Sequence, residues 1–203
     1  MKKAIIWGII IVGLLILCGS GCSQYNGMVE SEQNVDQAWA QVQNVYQRRA
    51  DLIPNLVATV KGYATHESET LEAVTNARAG LSAAKNVADS LTQQAVPGSE
   101  AAMQQFEQAQ RQLNSALNVY VNAVREAYPD LKANENFLNL QTQLEGTENR
   151  ISTERERYTQ AVKDYNVRIR RFPANIFAGM FGFEKKPQFQ ADADAQHAPK
   201  VEF

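Results

Sequence analysis

Apolar side chains recur along this chain at the spacing of helices that bury one stripe. They fall first at Met28, Val35, Trp39, Val42, Tyr46, Ile53, Leu56, Val60 and Tyr63. With each seven-residue gap read as two steps, the repeat is 3.5. A second run reads Leu71, Val74, Leu81, Ala84, Leu91, Ala95, and a third Met103, Phe106, Leu113, Leu117, Tyr120, Val124. The fourth runs from Phe137, Leu140 and Leu144 through Ile151, Tyr158, Val162, Tyr165 and Ile169 to Phe172. One shared coiled-coil period predicts helices that wet most of their surface and bury a narrow seam against each other. Val96-Pro97-Gly98-Ser99 breaks the second run from the third, with Ser99 placed to cap the helix from Glu100. Tyr128-Pro129-Asp130 ends the third, and Thr65-His66-Glu67 is the expected turn between the first two. Short links make neighbours antiparallel. Pro54 reads as a kink or a restart capped by Asp51, because the apolar phase runs through it.

The N-terminus carries a different pattern. Residues 4–18 are apolar apart from Gly8 and Gly13, with Lys2-Lys3 before them and Gly19-Ser20-Gly21-Cys22 after. An uncleaved membrane anchor is the leading reading, a lipoprotein signal with Cys22 as the lipidation site the second, and plain cleavage the third. Lysines before the span, and no basic residue after it until Arg48, place the N-terminus in the cytoplasm and the remainder outside. The fold class expected is therefore all-α, an up-and-down antiparallel four-helix bundle of long helices with an N-terminal membrane helix. Residues 1–22 form the anchor, 23–183 the bundle and 184–203 a disordered tail, which holds His197.

Charge and composition narrow the function. Without residues 1–21 the chain loses two lysines and no acid, leaving 18 basic against 22 acidic residues, net −4. That balance excludes nucleic acid as a natural partner. Both cysteines lie in the N-terminal segment, so the bundle is held by apolar burial without disulfides. With two His in the whole chain, a metal centre lacks material, and no cofactor is expected. His66, three residues after Tyr63, does not make the Glu-x-x-His pair of a di-iron bundle. Glu154 and Glu156 fall on a solvated face, not as a glycosidase-like pair.

Two features remain. Arg49 and Glu148 fall on seam phase, and antiparallel pairing of the first and fourth helices brings position 49 opposite position 150. This predicts a structural polar belt of Arg49, Asp51, Glu148 and Arg150, with fixing of helix register as its role. After Phe172-Pro173, residues 174–183 are apolar and too short to span a membrane. A short helix capped by Asn175 is expected there. Ile176, Phe177, Met180, Phe181 and Phe183 make it a candidate interaction patch.

Several blocks resemble the LemA family: Tyr25-Asn26, residues 48–57 and 60–67, residues 128–137 (Tyr-Pro-Asp-Leu-Lys-Ala-Asn-Glu-Asn-Phe), residues 147–151, Arg157-Tyr158, Tyr165-Asn166 and Phe172-Pro173. The resemblance implies a bacterial membrane-anchored helical bundle and carries over no catalytic residues. Taken together, a membrane-anchored envelope protein acting as a non-catalytic scaffold or protein-interaction module is expected. The alternatives are an enzyme or small-ligand protein using the belt, and a lipid-surface organiser using the patch. Its partners would be the membrane and other proteins, with the oligomeric state open.

Overall fold

A computed structural model of the chain describes residues 2–64 and 72–190. It is all-α, but where a four-helix bundle is expected, five α-helices form the bundle among the described residues: α1 (Lys2–Ala64), α2 (Glu72–Thr92), α3 (Glu100–Ala127), α4 (Glu135–Arg170) and the short α5 (Ala174–Phe181). A 3-10 turn over Pro129–Ala133 joins α3 to α4. α1 packs chiefly on α4 and α2 on α3, while α5 bridges α1 and α4. The directions alternate. Ser31 and Arg49 on α1 meet Arg168 and Glu148 on α4, the index rising on one helix as it falls on the other.

The ends of the helices follow local chemistry. Ser99 Oγ accepts the Ala102 N–H at 3.2 Å and Asn134 Oδ1 accepts the Phe137 N–H at 3.2 Å, each satisfying an orphan donor of a first turn. α5 starts after Pro173, so Asn175 lies inside it and does not cap it. It ends at Gly182, whose φ of +76° is the left-handed conformation that releases the chain from a helix. Pro54 lies within α1, which continues through it unbroken. The turn expected at Thr65-His66-Glu67, and His197 in the tail, fall outside the described residues.

The core is in two parts. One cluster contains Leu56, Val60, Leu81, Leu113, Tyr120, Val124, Leu131 and Phe137. The other contains Val35, Trp39, Met103, Phe106, Tyr158, Val162 and Tyr165. The expectation of coiled-coil seams is corrected here. α1 buries Arg49 with Ala50 and Leu52 with Ile53, adjacent pairs that an a/d seam would not bury together. A helix with neighbours on several sides needs a wider stripe, and the packing is that of a globular bundle.

The N-terminal membrane helix is also corrected. Among the described residues no helix is long and apolar enough to cross a membrane. The apolar run of residues 4–18 is shorter than the about 20 residues a span requires. The Gly-Ser-Gly-Cys-Ser-Gln stretch that follows continues the same helix into the bundle. There, a Cβ on Gly21 would stand 3.1 Å from the Phe177 ring, a tight contact that the glycine avoids where α5 meets α1. The membrane partner, the single-pass cell-membrane location with a cytoplasmic N-terminus, and the membrane-anchored envelope reading fall with that helix. Lipid anchoring through Cys22 is not supported either, since Cys22 stands exposed in mid-helix.

Residues 184–190, which the sequence pattern assigns to a disordered tail, lie extended against the second cluster. Phe189 packs on Trp39, Phe106 and Tyr158 there.

Candidate functional site

Arg49 enters the bundle between the two apolar clusters and is only 2% exposed. A buried guanidinium must find acceptors, and it finds them on two other helices. Its Nη1 donates to Glu148 Oε2 on α4 at 3.1 Å, and its Nη2 donates to Gln110 Oε1 on α3. Gln110 Nε2 in turn donates to Thr92 Oγ1 on α2 at 2.8 Å, and that hydroxyl donates to the Ala88 carbonyl at 2.8 Å. One chain of hydrogen bonds thus runs α4, α1, α3, α2 across the whole bundle. Gln43 on α1 adds a tie, its Nε2 donating to the Thr92 and Gln94 carbonyls at 2.6 and 2.7 Å. The Thr92 carbonyl is in the last turn of α2, where acceptors have no partner within the helix, and Gln94 lies in the turn just beyond.

The belt differs from the sequence expectation in its membership. Arg49 and Glu148 are brought together. Asp51 is exposed and accepts from Gln47 Nε2 at 2.8 Å on its own helix, and Arg150 is exposed outside the network. The residues missed are Gln110 and Thr92, both nearly fully buried. Gln110 sits on the buried face of α3, four residues beyond Phe106 and three before Leu113, a spacing that marks it as an inward polar residue.

The belt is buried at Arg49 and Gln110 and open to solvent at Glu148. Arg49 Nε is buried with no hydrogen-bond partner among the described residues, and its guanidinium lies 5.1 Å from the Tyr46 ring centroid. Burial pushes the Tyr46 hydroxyl up to about 12, against the opposing pull of Arg155 and Arg49. The Tyr46 hydroxyl therefore keeps its proton near neutral pH. The described residues contain no group of three or more His, Cys, Asp or Glu that could hold a metal ion.

The apolar end face is open. Among the described residues, six of nine exposed large apolar side chains gather there: Tyr25, Val167, Phe172, Ile176, Met180 and Phe181. Phe172 is 81% exposed and Met180 72%. The candidate patch is split by the helix phase. Phe177 and Phe183 turn inward and are half-buried, Phe183 meeting Tyr25 edge-on at 5.7 Å. Ile176, Met180 and Phe181 point out, although Phe181 keeps an edge contact with Tyr25 at 4.9 Å. Phe172, on the fourth seam by sequence, follows the end of α4 and so leaves the helical phase for solvent. A cavity of about 430 Å³ adjoins the face, lined in part by Arg168, Arg171 and Phe172.

A model described as the LemA family matches residues 38–203. Two curated relatives, magnetosome protein MamQ 2 and magnetosome protein MamQ 1 of Paramagnetospirillum magneticum (strain ATCC 700264 / AMB-1), are each 37% identical over 68 residues. That stretch is 34% of this chain and 25% of each relative, so the chain spans about a quarter of the length of the curated relatives it matches.

Proposed function

This chain belongs to the LemA family, and from that premise we propose that it is a non-catalytic helical interaction module whose end face docks a protein partner. The observation that carries this reading is the gathering of Phe172, Ile176, Met180 and Phe181, all exposed, at one end of the bundle. Apolar area of this kind is costly to leave in water and marks association surfaces. Arg168 and Arg171 border it, with Asp164 beside them. The complementary partner has an apolar centre and an acidic rim, because rim charge steers and orients docking. The belt supports a structural role instead. Arg49 Nη1 and Nη2 are engaged by Glu148 and Gln110, and its Nε, though without a hydrogen-bond partner among the described residues, is buried away from solvent.

The test is quantitative crosslinking in cells with three full-length chains: the native one, a Met180→Glu/Phe181→Glu double variant, and a Val119→Glu control on α3. The reading expects a partner whose adduct is lost in the double variant and kept in the control. Adducts that are the same in all three chains refute it.

A further inference from the structure

Residues 183–190 leave α5 at the left-handed Gly182 and run back along the bundle in a groove between α1, α4 and the start of α3. The bundle grips this segment as a protein grips a peptide. Asn166 Nδ2 donates to the Lys186 carbonyl and its Oδ1 accepts the Lys186 N–H, both at 2.9 Å. Tyr165 Oη donates to the Glu184 carbonyl at 3.0 Å, and Tyr158 Oη to the Pro187 carbonyl at 3.2 Å. Glu107, buried and 3.4 Å from Arg111 and 3.7 Å from Arg155, accepts the Gln190 N–H at 2.9 Å. Each of these bonds joins a bundle side chain to segment main chain, which sets an extended shape without reading sequence.

Two side chains carry the sequence reading. Lys186 Nζ stands 3.0 Å from Glu32 and 3.9 Å from Asp36 on α1. Phe189 lies with its ring centroid 5.3 Å from Tyr158 and 6.3 Å from both Trp39 and Phe106, under the Arg155 guanidinium at 4.6 Å. The aromatic floor does not depend on the segment, because Trp39 already meets Phe106 at 5.1 Å and Tyr158 at 5.3 Å.

We propose that this groove is a docking site for an extended peptide of a partner protein with the pattern Lys-Pro-x-Phe, and that residues 184–190 occupy it in cis as a competitor. The seated segment displays the chemistry that fits: a cation for the Glu32–Asp36 pair, an extended backbone for Asn166, and an aromatic ring for the floor. Among the described residues its covalent link to the helices is at Gly182, so it can swing away there without unwinding α5. A tethered competitor acts at an effective concentration of order millimolar, so entry of a partner is gated by release of the segment.

The probe is a fluorescent peptide of residues 183–190, titrated into the full-length chain. A Phe189→Ala chain weakens the cis segment and keeps the floor, and is expected to bind the peptide at least tenfold more tightly than the native chain. Lys186→Glu, which sets like charge against Glu32 and Asp36, is expected to give the same gain. Adding Asn166→Ala to either variant costs at least tenfold, and a peptide with Ala in place of its second Phe does not bind. Met180→Glu on the end face leaves peptide binding unchanged, which separates this site from the one proposed above. Equal binding to the native chain and both variants, or no saturable binding to either variant, overturns the proposal. So does a native dimer in sedimentation that Asn166→Ala dissociates, since the groove would then hold a second copy's segment.

Discussion

Truncating Arg49 to alanine separates two candidate sources of the belt's energy, because its partners lie in different surroundings. Glu148 has 48% of its side chain in solvent, so on losing Arg49 it regains water, and an ion pair so exposed is worth about 0.2–1 kcal/mol. Gln110 is buried. Its Oε1 would be left without a donor, and a buried hydrogen bond to a charged group is worth about 1.5–3 kcal/mol. With some packing on Tyr46 also lost, Arg49→Ala is expected to destabilise the fold by about 2–4 kcal/mol. Urea unfolding followed by helical circular dichroism gives the value, and double-mutant cycles apportion it. The Arg49–Gln110 coupling is expected to exceed the Arg49–Glu148 coupling. The paired replacement Arg49→Met with Gln110→Leu is expected to fall within about 1 kcal/mol of the native chain, since an apolar pair avoids the desolvation cost and Thr92 keeps its bond to Ala88. If Glu148 proves the more strongly coupled partner, the assignment of the belt's energy to its buried half is refuted.

Other outcomes follow from single sites. Leu113→Ala empties a fully buried position and is expected to cost about 2–5 kcal/mol in the same assay. Ser99→Ala removes the α3 cap and is expected to cost about 1 kcal/mol; no measurable change would deny the cap a role. Burial raises the hydroxyls of Tyr46, Tyr120 and Tyr165 to about 12, and that of Tyr158 further still. The folded chain therefore holds protons that the unfolded chain loses above about pH 10, so stability is kept below that pH and falls between pH 10 and 12. The share of the phenolate absorbance that belongs to these four tyrosines should rise at ordinary tyrosine pH in urea but later, and together with unfolding, in buffer.

Periodicity is enough to find the interior wherever a helix has one phase. Trp39, Val42, Leu81, Phe106, Leu113, Ile151, Tyr158 and Val162 are all buried. It fails where the rule behind it stops. Phe172 lies beyond the last residue of α4, and a phase extrapolated past a helix end means nothing. Phe189 belongs to an extended segment, for which period 3.6 is the wrong template. The even spacing of Phe183, Pro187 and Phe189 was the available signal, hidden by the charged and polar residues between them. Half of the belt was hidden for another reason: Gln110 and Thr92 are polar, and only a third and second helix in place show that they face Arg49. The apolar run at residues 4–18 read as a span on composition, but length decides spanning, and the run stops short.

Hydroxyl-radical footprinting of the chain in intact cells, set against the purified chain, asks directly whether the α5 end face is where this protein meets its partner. Met180 and Phe172 are both exposed and reactive enough to report, with Leu138 on α4 and Val119 on α3 as exposed controls. Oxidation of Met180 and Phe172 should fall several-fold in cells while Leu138 and Val119 stay unchanged. Equal labelling of Met180 in cells and in isolation would mean that the face is bare where the protein works, and the interaction-module reading would not survive it.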